Sequence, residues 1–197
     1  MSKAEKTKDF IIERSATIFN TKGYAGTSLS DIIEATGLTK GAIYGNFENK
    51  DEVAVAVYKF NIRTLRRKLA AVMTIEPTAP GKLIAMVDYY RHNWKSVFEN
   101  GGCPILNASI EADDNVIFLK KHVQESIANW VIQIAGIIEA GKKEGTINKS
   151  VNAQDYAYAI LTQLEGGMML AKIMNNRKLL IAALDRIVLL INNELKK

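Results

Sequence analysis

Apolar residues return every three or four positions along nearly the whole chain, and strand-like alternation is almost absent. Over residues 3–22, Ile11, Ser15, Ile18 and Ile12, Ala16, Phe19 form adjoining rows of one helical stripe. Gly23 predicts a left-handed C-cap there, with Tyr24 folding back on the last turn. In "TSLSDIIEATG", Ser28 and Asp31 have the spacing of a capping box, with Asp in place of the usual Glu. Leu29, Ile32 and Ile33 supply that helix's inner face, and Gly37 stops it. Thr39 opens a third, very short helix in "LTKGAIYGNF", which Ile43 and Phe47, four apart, hold to the core. "ENKDEV" begins a fourth, with Asn49 as N-cap and Glu52 three residues on. It runs to about Ile75, where "EPTAPG" breaks it. Five further helical patterns cover roughly 81–99, 104–112, 115–143, 153–174 and 177–195.

The pattern predicts an all-α fold of about nine helices: an N-terminal three-helix head carrying a helix-turn-helix and a C-terminal helical body. The expected boundaries are 1–50 for the head, 51–76 for a connecting helix and 77–197 for the body. Composition agrees with a globular chain: 197 residues, 48% hydrophobic and 24% charged, with only three prolines to interrupt helices. A net charge of +5 mildly favours a polyanionic partner. The single cysteine, Cys103, excludes an intrachain disulfide and a cysteine-only zinc site. "LLIAALDRIVLLI", the longest apolar stretch, is broken by Asp185 and Arg186 and is too short to span a bilayer. The charged start has no apolar segment of the secretory kind, so a cytoplasmic protein with no membrane partner is expected.

In a helix-turn-helix, the second helix enters the DNA major groove by its N-terminal part. Such a helix needs small residues at the groove wall and polar groups for base edges and phosphates. Gly41 and Ala42 permit close approach, and Thr39 and Lys40 can donate to bases or phosphates. Tyr44 and Asn46 can reach backbone oxygens, and Lys50 lies in the first turn of the next helix, where amides already favour a phosphate. Thr27 and Ser28 offer the same at the second helix. "RTLRRK" at 63–68 reads instead as a solvated face, its first arginine roughly 20 Å along the helix from Lys50 at about 1.5 Å per residue.

The stretch "GYAGTSLSDIIEATGLTKGAIYGNFENKDEV" resembles the DNA-binding domain of the TetR (tetracycline-repressor-like) family of bacterial transcriptional regulators. Gly23–Tyr24, Thr27–Ser28, Ile32, Gly37, Tyr44, Phe47 and Lys50 carry the likeness. The resemblance implies a homodimer reading a palindromic DNA operator, with contacts from Thr27, Ser28, Thr39, Lys40, Gly41, Ala42, Tyr44, Asn46 and Lys50. Two positions depart from the family's pattern. Many members have a bulky or basic residue where this chain has Gly45, and histidine where it has Asn46.

A regulator of this type needs an effector site in its body. "MVDYYRHNWKSVF" is rich in aromatics, with Tyr90, Trp94 and Phe98 on one helical face. Trp130 and Met168 add adaptable apolar surface, and Asn107, Glu111 and Gln163 are the polar candidates for a small-molecule effector. Taken singly, each aromatic or Met reads more simply as core, and the alternative for the three polar residues is helix surface. Cys103, directly before Pro104, fits an N-cap where free amides would lower its thiol pKa and make it an electrophile or redox sensor. It also fits a small buried residue in a tight Gly-Gly turn. The helices at 153–174 and 177–195 carry more apolar residues than one buried face requires, as a homodimer seam would, and Gly166–Gly167 permits close helix approach.

An enzyme is the rival class, but the chain lacks a nucleophile elbow, a Walker A loop and a zinc-protease helix. "EADD" at 111–114 reads as the start of the long seventh helix, where carboxylates suit the dipole, rather than as a metal site. A ligand-binding module that has lost DNA binding is disfavoured by Thr39, Lys40, Tyr44 and Lys50. The expectation is a ligand-responsive repressor, released from DNA by a small molecule, with no cofactor, no metal and no catalysis.

Overall fold

The structure is a computed structural model and describes residues 2–197. Nine α-helices make up most of the described chain: α1 Lys3–Lys22, α2 Leu29–Thr36, α3 Lys40–Tyr44, α4 Lys50–Thr74, α5 Ala79–Glu99, α6 Pro104–Asp114, α7 Ile117–Glu144, α8 Ala153–Ile173 and α9 Arg177–Leu190. A π-helical turn at Ile191–Leu195 follows. No helix among the described residues is long and apolar enough to cross a membrane.

Two compact units result. The first holds the described residues up to Leu65 together with Asn100–Gln124, and the second holds Arg66–Glu99 with Glu125–Lys197. The chain passes between them within α4, at the end of α5 and within α7. Compactness therefore divides the chain differently from the composition break at "EPTAPG": α6 and the first turns of α7 cluster with the helix-turn-helix.

The first unit is built on Ile11 and Phe19 of α1, Ile32 of α2, Ile43 of α3, and Val53, Val57 and Tyr58 of α4, all buried. Tyr24 lies between Phe19 (ring centroids 5.6 Å apart) and Tyr58 (6.1 Å, edge-on). Lys8 of α1 pairs with Glu52 at 2.9 Å and lies 4.6 Å from the centre of the Phe47 ring, tying α1 to the α3–α4 corner.

In the second unit, α8 and α9 form a tight antiparallel pair. A Cβ on Gly167 would lie 2.3 Å from the Ala183 Cβ, so the closeness of the two helices depends on that glycine. Leu83, Met86 and Tyr90 of α5 and Leu184 and Ile187 of α9 are buried where α5 and α9 pack together. Arg91 of α5 reaches Asp185 of α9 at 2.8 Å and Asp88 at 3.0 Å.

Two sequence expectations change here. α6 runs through Asp114, so "EADD" ends α6 rather than starting α7. Its carboxylates sit at the negative end of a helix dipole, and they are placed by tertiary partners instead, as in the 2.9 Å pair of Asp113 with Lys120. Gly23 does have a positive φ of 87°, but its ψ of 163° is extended and not the left-handed helical cap expected. Gly37, with φ 67° and ψ 12°, is such a cap, and its N–H donates to the Ile33 carbonyl.

Candidate nucleic-acid interface

Short-range hydrogen bonds shape the helix-turn-helix. The Ser28 hydroxyl accepts the Asp31 N–H at 3.2 Å and donates to the Asp31 carboxylate at 2.8 Å, and the Ser28 N–H also donates there. The capping box is therefore complete. The Lys22 ammonium and the Ser28 donors hold the Asp31 carboxyl well below the usual carboxylate range. Its folded pKa is depressed, so whatever stability this cap adds is present above the ordinary carboxylate pKa and is lost progressively as the pH falls below it toward the folded pKa. At the turn, the Thr36 hydroxyl donates to the Ile32 carbonyl at 2.7 Å and accepts the Leu38 N–H at 3.3 Å. Thr39 caps α3 by accepting the Ala42 N–H at 3.2 Å.

These bonds leave one open surface. Thr39, Lys40, Gly41 and Gly45 are exposed, and Ala42, Tyr44 and Asn46 are half-buried along the same short helix. The Lys40 ammonium lies 5.9 Å from the centre of the Tyr44 ring, which keeps a cation beside a phenol hydroxyl. Asn46 donates to the Ala42 carbonyl at 2.9 Å and retains its own carbonyl oxygen as an acceptor. A Cβ built on Gly41 meets only the Thr39 hydroxyl, at 3.9 Å, so within the protein Gly41 faces open space. Gly45 has φ −75° and ψ −13°, which any residue adopts, so the backbone does not demand glycine there.

Two of the expected DNA-facing residues are used inside the protein. Thr27 is completely buried, and its hydroxyl donates to the Gly23 carbonyl at 2.6 Å. Its side chain braces the α1–α2 turn rather than facing a phosphate. The Lys50 ammonium donates to the Thr27 carbonyl at 2.9 Å, with the Tyr24 and Ala25 carbonyls at 3.4 and 3.5 Å. Its three N–H donors are thus directed at the same turn. Lys50→Ala is expected to lower unfolding stability by about 1–2 kcal/mol, because it leaves those carbonyls without a charged donor. Urea denaturation checks this: unchanged stability with weakened DNA binding would return Lys50 to a contact role alone.

The nine residues expected at an effector site fall in both units. Tyr90, Trp94, Phe98, Trp130, Gln163 and Met168 belong to the second unit, and Cys103, Asn107 and Glu111 to the first. Tyr90, Trp130 and Met168 are buried. Trp94 packs edge-on to Phe98 at 6.0 Å and beneath the Arg177 guanidinium at 5.3 Å, joining α5 to the start of α9. Asn107 and Glu111 make hydrogen bonds within the first unit. Asn107 donates to the Asn20 and Gly101 carbonyls at 3.0 and 2.8 Å, and Glu111 accepts from the amides after Gly23. Cys103 stands at the N-cap position of α6, but its side chain makes no capping bond and it is 2% exposed. Burial in a Gly-Gly turn, the packing reading, describes it, and a thiol shielded from solvent does not suit a sensor. An open hollow of about 300 Å³ in the second unit is lined by Met73, Ala79, Ile137 and Ala140, with Lys82 and Glu144 among its polar groups. It includes none of the nine.

Residues 11–57 match the family described as bacterial regulatory proteins, tetR family, and residues 79–187 match the tetracyclin repressor-like C-terminal domain. With the geometry of α2 and α3, these matches define a DNA-binding transcriptional regulator of the helix-turn-helix class. The whole chain also superposes on two solved structures. One is a TetR-family regulator from Cytophaga hutchinsonii, with TM-score 0.94 and 36% identity, covering 100% of this chain and 98% of that one. The other is a TetR regulator from Chloroflexus aurantiacus, with TM-score 0.93 and 33% identity, covering 100% and 99%. The chain belongs to the TetR family of bacterial transcriptional regulators. In sequence it is also similar to the HTH-type transcriptional repressor DhaR of Mycobacterium sp. strain GP1, 22% identical over 171 residues, 87% of this chain and 85% of that protein.

Proposed function

We propose that the protein is a homodimeric repressor that reads a palindromic operator through Lys40, Gly41, Ala42 and Tyr44 and is released by a small molecule. The dimer rests on one observation. Tyr158, Thr162, Gly166, Met169 and Ile173 repeat at spacings of three and four along the outward face of α8. Leu170 and Met174 extend that face, and on α9 Leu189 is exposed as well. Ile173 is 78% exposed, and covering each such large side chain is worth roughly 1.5–3 kcal/mol. The partner that suits this face is a second copy, because two heads one helical turn apart are what a palindrome requires.

The effector reading rests on the second unit, where Tyr90, Trp130 and Met168 are interior and Trp94, Phe98 and Gln163 border them in sequence and exposure. A mainly apolar molecule suits such a lining. It must bind the DNA-free form more tightly than the bound form to act as an inducer. α4 runs without interruption from the second unit into the head, which gives a ligand-dependent change a covalent path to α3.

Ile173→Glu tests the assembly. Size-exclusion chromatography with light scattering is expected to give a dimer for the wild type and a monomer for the variant. Affinity for a palindromic duplex selected in vitro on the wild type is expected to fall together with dimerisation. A dimeric Ile173→Glu protein would remove α8 from the seam, and a wild type that selects no palindrome would remove the operator reading.

A further inference from the structure

The α1–α2 turn is held from both electrostatic sides by residues distant in sequence. Glu111 Oε1 accepts the Tyr24 N–H at 2.9 Å, and Oε2 accepts the Ala25 N–H at 2.7 Å. These are successive amides outside any helix, each meeting its own carboxylate oxygen. On the carbonyl side of the same turn stands the Lys50 ammonium, 2.9 Å from the Thr27 oxygen. The turn is thus gripped by an anion on its donors and a cation on its acceptors, and such charge-assisted bonds are roughly twice as strong as neutral ones.

The backbone is shaped around the carboxylate. Gly23 has φ 87°, and a Cβ there would lie 2.7 Å from Glu111 Oε1. One turn earlier on α6, Asn107 donates to the carbonyl and side-chain oxygens of Asn20 at 3.0 and 3.1 Å. Asn20 in turn donates to the carbonyls of Asn100 and Gly102. Gly101 has φ 93°, and its missing Cβ would lie against the Asn20 carbonyl. α6 is therefore docked on the end of α1 at two points, and the second point is the turn that aims α2.

We propose that Glu111 is a positioning residue for DNA recognition: its carboxylate fixes the α1–α2 turn so that α2 and α3 meet DNA in a single arrangement. This rests on the reading of the protein as a DNA-binding regulator. It also makes a prediction of unusual sign. Removing a negative charge from a protein that binds a polyanion ordinarily tightens binding. Removing this one weakens specific binding, because it frees the turn. In Glu111→Gln, one oxygen still accepts an amide, but the new NH2 group meets the other N–H donor to donor.

The test uses the full-length protein and two duplexes of equal length: one selected in vitro on the wild type, and a scrambled version. Fluorescence anisotropy is expected to show about a tenfold weaker affinity of Glu111→Gln for the selected duplex. Affinity for the scrambled duplex is expected to be unchanged or slightly tighter. Equal affinity of variant and wild type for the selected duplex, or a parallel loss on both duplexes, would overturn the proposal. A wild type that selects no duplex would instead overturn the regulator reading itself. Hydrogen exchange on the wild type is a second measurement that needs no variant. The Tyr24 and Ala25 amides are expected to exchange as slowly as those inside α1, and exchange at the free-chain rate would sink the idea.

Discussion

Gly41→Leu is expected to lose specific DNA binding by about a hundredfold or more while folding as well as the wild type or better. A Cβ at this position meets only the Thr39 hydroxyl, at 3.9 Å, and the residue is exposed, so a side chain starts into open space. Replacing a glycine inside a helix by leucine even favours the helix by up to about 1 kcal/mol. The same side chain would stand between α3 and the groove wall. Holding the helix off by a leucine's depth breaks more than one close contact, and base contacts are worth roughly 1–3 kcal/mol each. Two such losses give about a hundredfold. Gly41→Ala, with one methyl, is expected to fall between. Thermal unfolding and anisotropy on the selected duplex measure the two effects separately. Full affinity in Gly41→Leu would take this residue off the DNA surface.

Gly167→Leu is expected to have the largest effect on stability. Even alanine would bring its Cβ to 2.3 Å from the Ala183 Cβ, and neither atom is the end of a flexible chain. Gly167→Ala should cost about 1–3 kcal/mol as α8 and α9 are forced apart. At roughly 2–4 °C per kcal/mol for a chain of this size, that is a clear drop in the thermal midpoint. Leucine should cost more and prevent the α8–α9 pair from forming. Gly166 is the internal control: a Cβ there has nothing of the chain within 4 Å. Gly166→Ala should be as stable as the wild type or more so, by up to about 1 kcal/mol, because alanine replaces a mid-helix glycine without a clash. If Gly167→Ala melts with the wild type, the close helix contact is not a source of stability.

Local signals were legible without a structure. Ser28 with Asp31, Thr39 at the start of α3, Asn49 with Glu52 and Gly37 at the end of α2 all act within four residues. Their geometry follows from the pitch of a helix and the groups its ends leave unbonded. Ile43 and Phe47, read as the anchors of the third helix, are buried. The readings that changed are those in which a distant segment competes. Gly23 keeps a positive φ but not the ψ of a left-handed helical cap, and the amides after it go to Glu111, 87 residues along the chain in the case of Tyr24. Thr27, Lys50, Asn107 and Glu111 have side chains suited to ligands, and all four are turned to the α1–α2 turn or to the end of α1. Nothing in their sequence neighbourhood separates a polar group that will meet DNA or an effector from one that will meet a backbone amide.

By itself the sequence determined the all-helical class, the helix-turn-helix and the exposed character of α3, because each depends on periodicity and on caps a few residues wide. Only the tertiary structure decided that α6 belongs with the DNA-binding unit, which glycine α8 and α9 need for their close approach, and where the polar groups near Gly23 are directed. The physical reason is the range of the interactions. A helix and its caps are specified by neighbours along the chain. The partner of a carboxylate or an ammonium is set by whichever unbonded backbone groups the fold brings within 3 Å of it, and those come from anywhere in the sequence.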